Sequence, residues 1–184
     1  MQHTLVAIVE DKPGVLNRVA SLFRRRAYNI ESLTVGHTET PGVSRMTIAV
    51  EGDDQQIDRL IAYLYKLVNV IQVDDLTARP SVTRDLAMIK VGVTPTNRTE
   101  IIQLVDVFRA RIVDVSNDSM IVEITGDEEK IDGFVDVLRP YGIMEMVRTG
   151  VVSMLRGAAG VTPYSYASAK TNGNGKAYAS LTGA

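Results

Sequence analysis

The chain has 184 residues, a formal net charge of −2, no cysteine, no tryptophan and two histidines. The missing cysteine excludes disulfides, thiolate metal sites and a cysteine nucleophile, and it fits a reducing, cytoplasmic setting. Near-neutral charge and few aromatics give no footing for nucleic acid, and no apolar run reaches the roughly 18 residues of a membrane span.

Thr4 to Glu10 reads as a strand, carried by Leu5-Val6-Ala7-Ile8-Val9. It begins almost at once, so no signal or transit peptide is expected. Glu10-Asp11-Lys12-Pro13-Gly14 then turns the chain into a helix that runs from Val15 to about Arg26. The helix has an apolar face of Val15, Leu16, Val19, Ala20, Leu22 and Phe23. Asp11 is the expected N-cap, because a short carboxylate accepts from first-turn amides. Pro13 suits the first turn, where its missing N–H is not needed. Gly14, without a Cβ, lets a small anion approach the backbone, and the helix start carries partial positive charge. These features suit the carboxylate of a free amino acid. They equally make an ordinary strand-to-helix turn, in which Asp, Pro and Gly are common.

The helix ends on Arg24-Arg25-Arg26, which complements the negative end of its dipole; that reading is preferred over a phosphate site. Glu31-Ser32-Leu33-Thr34-Val35 alternates as a strand, Pro41-Gly42 signals a hairpin connection, and Ser44 to Glu51 is a third strand. Gly52-Asp53-Asp54 opens a second helix with Ile57, Leu60, Ile61, Leu64 and Val68 on its apolar face, and Val70 to Asp75 closes with a fourth strand. Beyond the linker Thr77-Ala78-Arg79-Pro80-Ser81 the order repeats. Leu86 to Val93 is a strand, and Ile101, Leu104, Val105 and Phe108 mark a helix. Arg111–Ser116 and Met120–Thr125 form a hairpin. Ile131, Phe134, Val135 and Leu138 mark a second helix, and Ile143 to Val147 is the last strand.

The repeat is visible residue by residue. Gly52, Asp53, Ile57, Asp58 and Leu64 recur at one spacing as Gly126, Asp127, Ile131, Asp132 and Leu138. The fold class is therefore α+β, as two tandem ferredoxin-like βαββαβ units. The boundaries expected are 1–77, a linker at 78–82, a second unit at 83–157, and a tail at 158–184. The tail is rich in Gly, Ala, Ser and Thr, and its composition predicts disorder. The first strand-to-helix turn is not repeated: its counterpart, Thr94-Pro95-Thr96-Asn97-Arg98, has no glycine. Any anion site is thus placed in the first unit.

Catalytic signatures are missing. The sequence has no nucleophile elbow, P-loop or dinucleotide fingerprint, and His3 and His37 fall in no ligand or catalytic spacing. The acidic residues cluster at helix starts, where they complement dipoles. This favours a binding or regulatory module over an enzyme. No helix-turn-helix or basic recognition helix supports a transcription regulator.

A βαββαβ unit with an Asp-x-Pro-Gly turn resembles an ACT domain, a small regulatory module that often senses amino acids. Four stretches sharpen the likeness: Glu10 to Val19, Arg26 to Val35, Ser44 to Ile48 and Lys66 to Val70. They resemble the small, regulatory subunit of acetolactate (acetohydroxyacid) synthase, with Tyr28-Asn29-Ile30-Glu31-Ser32-Leu33 the most specific string. Phe108 to Val115 and Arg148 to Gly157 are similar to that family's C-terminal domain, so the likeness covers residues 1 to 157.

The resemblance implies a non-catalytic chain that joins a large catalytic subunit. That partner carries thiamine diphosphate, magnesium and FAD and condenses pyruvate in branched-chain amino-acid synthesis. The small subunit raises activity and confers feedback inhibition, usually by valine, with leucine or isoleucine as alternatives. In the family the effector lies between the ACT domains of a homodimer. Carried onto this sequence, one chain supplies Asp11, Gly14, Val15 and Leu16, and its partner supplies Asn29 and Ile30. Backbone amides at Gly14 hold the carboxylate, Asn29 serves either charged end, and Leu16 and Ile30 pack the aliphatic side chain. Read without the family, Asn29 is equally a turn residue, and Leu16 and Ile30 are equally core. The family often has Asn at the place of Asp11. A carboxylate there opposes an effector carboxylate turned toward it, but can hold an ammonium. The alternative function is an ACT module that acts on another enzyme or in transcription control.

Overall fold

A computed structural model describes residues 1–157, together with the backbone of 170–171 and 177–178, which pair antiparallel. The expected disorder of 158–184 falls, apart from that pairing, outside the described residues.

The first unit runs β1 (Gln2–Glu10), α1 (Val15–Arg25), β2 (Ile30–His37), β3 (Val43–Glu51), α2 (Asp54–Leu64) and β4 (Val70–Asp75). Its sheet is antiparallel in the order β2-β3-β1-β4, so β2 is an edge strand. The second unit runs β5 (Ser81–Gly92), α3 (Arg98–Val107), β6 (Arg111–Val115), β7 (Ser119–Gly126), α4 (Glu128–Leu138) and β8 (Ile143–Arg148). Its order is β6-β7-β5-β8, and a further strand, β9 (Val152–Leu155), pairs with the first part of β5. Two tandem ferredoxin-like units are the observed architecture.

Each sheet buries one face under its two helices. In the first unit Leu5, Ala7, Val9, Met46, Ile48 and Val50 meet Val19, Phe23, Ile57, Leu60 and Leu64. Full burial of a Leu, Ile or Phe contributes about 1.5–3 kcal/mol, so this layer dominates the unit's stability. α2 starts on a capping box: Asp53 accepts from the Gln56 amide, and the Gln56 side chain accepts from the Asp53 amide.

Three expectations are corrected. Val68 is 88% exposed. α2 ends at Leu64, and the tight turns Lys66 N–H to Tyr63 and Leu67 N–H to Leu64 carry the chain off the helix before Val68. β5 begins at Ser81 rather than Leu86, and β9 was not expected at all; the two belong together, since Ser81–Arg84 pair with Val152–Leu155. The first strand is also apolar on both faces. Val6 and Ile8, with Val43 and Leu76, form a second buried cluster on the face away from the helices, and Leu155 packs against it. The second unit therefore closes the back of the first.

Polar bonds fix that closure. The Thr34 hydroxyl donates to the Thr149 carbonyl at 3.3 Å, and the Val151 amide donates to Ser32 Oγ at 3.1 Å. Between them Gly150 has φ +84°, and a Cβ there would lie 2.5 Å from Ser32 Oγ. Next to it, Arg148 bonds Asp85 at 2.8 Å and Asp132 at 2.7 Å. Burial works against its charge, but these two carboxylates hold the guanidinium proton more tightly than usual.

Candidate functional site

The turn between β1 and α1 is built by its backbone. The Asp11 amide donates to the Gly42 carbonyl at 2.8 Å, which ties the turn to the β2–β3 connection. The Val15 amide donates to Lys12 at 3.3 Å, and the Arg18 amide to Gly14 at 3.0 Å. Gly14, not Asp11, is the N-cap of α1. It sits at φ +83°, and no side chain caps the helix. The reason is the Lys12-Pro13 step, which makes a turn of its own and moves the helix start beyond the reach of Asp11. Glycine is required there for its φ rather than for space, since an added Cβ meets only Arg18 Nη1, at 3.9 Å.

Without a capping side chain, the first-turn amides of Leu16 and Asn17 have no acceptor among the described residues. They point out of the helix start together with its partial positive charge. The guanidinium of Arg18 overhangs the same turn. Among the described residues no carboxylate lies within salt-bridge distance of it. Asp11 flanks the turn from the other side, its carboxylate 3.4 Å from His37 Nδ1 at the end of β2. Glu10 is held by Lys12 at 2.9 Å and by the Asn69 amide at 2.6 Å. Burial pushes its pKa up, but these two partners outweigh burial and leave it below the ordinary value.

The other candidate residues divide. The Val15 side chain is buried in the core, so only its backbone faces the turn, while Leu16 is 45% exposed beside it. Asn29 is exposed and its amide donates to the Glu31 carboxylate; Ile30 is half-buried against the first core. One chain does not bring Asn29 and Ile30 to the turn. Ile30 pairs with Val50, which pairs with His3, whereas the turn follows Glu10 at the other end of β1. The separation is roughly 23 Å at about 3.3 Å per residue.

The corresponding turn of the second unit also lacks a side-chain cap on its helix, but it has no glycine and its side chains bond one another. The Thr94 amide donates to the Asn97 side chain at 2.7 Å and the Asn97 amide to Thr94 Oγ1 at 3.3 Å. Arg98 is spent on the carbonyls of Ser116 and Asn117. Sequence reasoning passed over Arg18, although it lies one helical turn beyond Gly14. It also passed over His37, whose proximity to Asp11 is set by the sheet. Among the described residues no group of three or more His, Asp or Glu side chains is arranged to hold a metal, and no helix is long and apolar enough to cross a membrane.

Comparison with known proteins gives a consistent result. A family model described as the small subunit of acetolactate synthase matches residues 84–157, and one described as an AHAS small subunit-like ACT domain matches residues 5–72. A probable acetolactate synthase small subunit of Archaeoglobus fulgidus is 56% identical over 157 residues, covering 85% of this chain and 98% of the relative. The acetolactate synthase small subunit of Mycolicibacterium smegmatis is 50% identical over 159 residues, covering 86% and 94%. The crystal structure of the acetolactate synthase small subunit from Thermotoga maritima aligns with a TM-score of 0.81 at 43% identity, covering 85% of this chain and 98% of that one.

Proposed function

Because this chain belongs to the acetolactate synthase small-subunit family, we propose that it is the regulatory subunit that activates the catalytic subunit and makes it sensitive to valine. The observation that carries the proposal is the asymmetry of the two turns. The first has a left-handed Gly14 with Arg18 beside it, unpaired with any carboxylate among the described residues, whereas in the second the N-cap is Asn97 and Arg98 is bonded to the carbonyls of Ser116 and Asn117.

The chemistry follows from the geometry. The effector carboxylate binds the Leu16 and Asn17 amides and Arg18, and its ammonium faces Asp11. The rest of the site comes from a second copy. β2 is an edge strand whose last residue, His37, lies beside Asp11. Antiparallel pairing of β2 with β2 of a second copy sets the start of that strand beside the turn. Asn29 and Ile30 of the partner subunit then complete the pocket, and Leu16 and Ile30 enclose the aliphatic side chain. A fully buried side chain of this size contributes about 1.5–3 kcal/mol, and one methylene discriminates by about 1–3 kcal/mol. Thiamine diphosphate, magnesium and FAD belong to the catalytic subunit in this reading, and this chain performs no chemistry.

The test is acetolactate formation by the cognate catalytic subunit, with and without this chain, across a valine titration. Activation that valine then suppresses is the expected result. Activation without suppression by valine overturns the choice of effector and directs the titration to leucine and isoleucine. No activation by two folded, mixed chains overturns the subunit assignment.

A further inference from the structure

A second feature of the first unit lies away from the turn. Arg25, Arg26 and Lys66 surround a shallow groove of about 290 Å³ floored by Leu22, Tyr63 and Leu67, and Arg24 precedes them at the same helix end. The Arg26 guanidinium stacks over the Tyr63 ring at 3.8 Å from its centroid, and Lys66 Nζ is 5.0 Å from the same centroid. Among the described residues no carboxylate lies within salt-bridge distance of any of the four cations. The cations lie unopposed on a chain whose formal net charge is −2.

The helix end does not consume them. The carbonyls of Leu22, Phe23 and Arg24 already accept from the amides of Arg26, Ala27 and Tyr28. Among the described residues none of the three arginine side chains bonds a helix carbonyl. Just past the groove Val68 is 88% exposed, and Tyr65 is 51% exposed.

We infer that this corner docks an acidic, partly apolar surface of a partner protein, here the catalytic subunit; the inference rests on the regulatory-subunit reading above. A compact phosphate is the poorer fit. Phosphates are held by converging N–H groups at helix starts and glycine-rich loops. Here the nearby backbone is a helix C-terminus, whose carbonyl end disfavours a concentrated anion. Successive residues on a helix also fan out by about 100° at 3.6 residues per turn, so the arginines spread over a patch instead of meeting at one point. Arginine and tyrosine beside exposed aliphatics are the residues that dominate protein interfaces, and unopposed charge speeds encounter with a partner of opposite sign.

The experiment uses the full chain, its cognate catalytic subunit and an Arg25→Glu/Lys66→Glu variant, with Arg25→Gln/Lys66→Gln as a milder pair. Circular dichroism confirms folding. Acetolactate formation is then titrated with each chain at low and at physiological salt. The expected result is a half-activating concentration raised at least tenfold by charge reversal and less by neutralisation, with a shallower salt dependence in both. Wild-type activation matched within twofold by both variants overturns the inference alone. So does calorimetric binding of tripolyphosphate that the variants lose while activating normally, which would mark a small-anion site. Absence of activation by the wild-type chain overturns the regulatory reading, and this inference with it.

Discussion

Replacing Gly150 by alanine tests how tightly the second unit closes the first. At φ +84° an L side chain costs roughly 1–2 kcal/mol. The new Cβ would lie 2.5 Å from Ser32 Oγ and 3.1 Å from Thr34 Oγ1. The Ser32 hydroxyl relieves the clash by rotating, at the loss of its bond from the Val151 amide, worth about 1 kcal/mol. The total is roughly 2–3 kcal/mol. For a chain of this size that lowers the midpoint of thermal unfolding by about 4–12 °C. The readouts are thermal unfolding and amide exchange, with faster exchange confined to β2 and residues 149–155. In a Ser32→Ala background the hydrogen bond is already gone, so Gly150→Ala should cost only its backbone strain. A loss under about 0.5 kcal/mol, the range of an ordinary surface substitution, would refute the close approach.

Three further outcomes are expected. Gly14→Asp places a carboxylate in the turn and strains its φ of +83°; it should abolish valine inhibition and leave activation intact, whereas full valine sensitivity would move the site elsewhere. Ala27 sits at φ +58° just past α1, so Ala27→Gly should stabilise the chain by about 1 kcal/mol in urea unfolding, and a loss would show that the Ala27 methyl contributes packing. The third concerns acid. Burial raises the pKa of Asp75, but Thr77 and His3 outweigh it, and Glu10 is lowered likewise by Lys12 and Asn69. Both carboxyls bind protons more weakly folded than unfolded. Their contribution is therefore complete above the ordinary carboxylate range near pH 4 and lost as pH falls through the lowered folded values. Denaturant unfolding from pH 6 to pH 3 should show Asp75→Asn flattening the acid decline, and an unchanged slope would remove Asp75 from the account.

Most of the fold was legible because each core strand and helix carries its own periodicity. The exceptions have physical causes. Ser81–Arg84 carries a single apolar residue, and Val152–Leu155 is only four residues long with Ser153 buried and Val152 and Met154 exposed, so each becomes a strand through pairing with the other. Val68 continued an apolar series in sequence, but the turns after Leu64 had already ended the helix. Asp11 had the chemistry of an N-cap but not the position, because Lys12-Pro13 displaced the helix start. The candidate turn is local and was readable as such. Its separation from Asn29 and Ile30 depends on sheet register, and the unconsumed arginine run depends on how the backbone caps α1; neither is encoded in neighbouring residues.

The two-faced first strand has a consequence for biosynthesis. Leu155, which packs on the cluster of Val6 and Ile8, is synthesised roughly 150 residues after them. At roughly 5–20 residues per second the interval is about 7–30 s, long enough for the first unit to fold around its helices with its back still bare. During that window the nascent chain presents a greasy strip to chaperones and to sister chains on the same message. A chain cut before β9 lacks Leu155 over this cluster, so the first unit of such a chain is expected to be less soluble than in the whole chain.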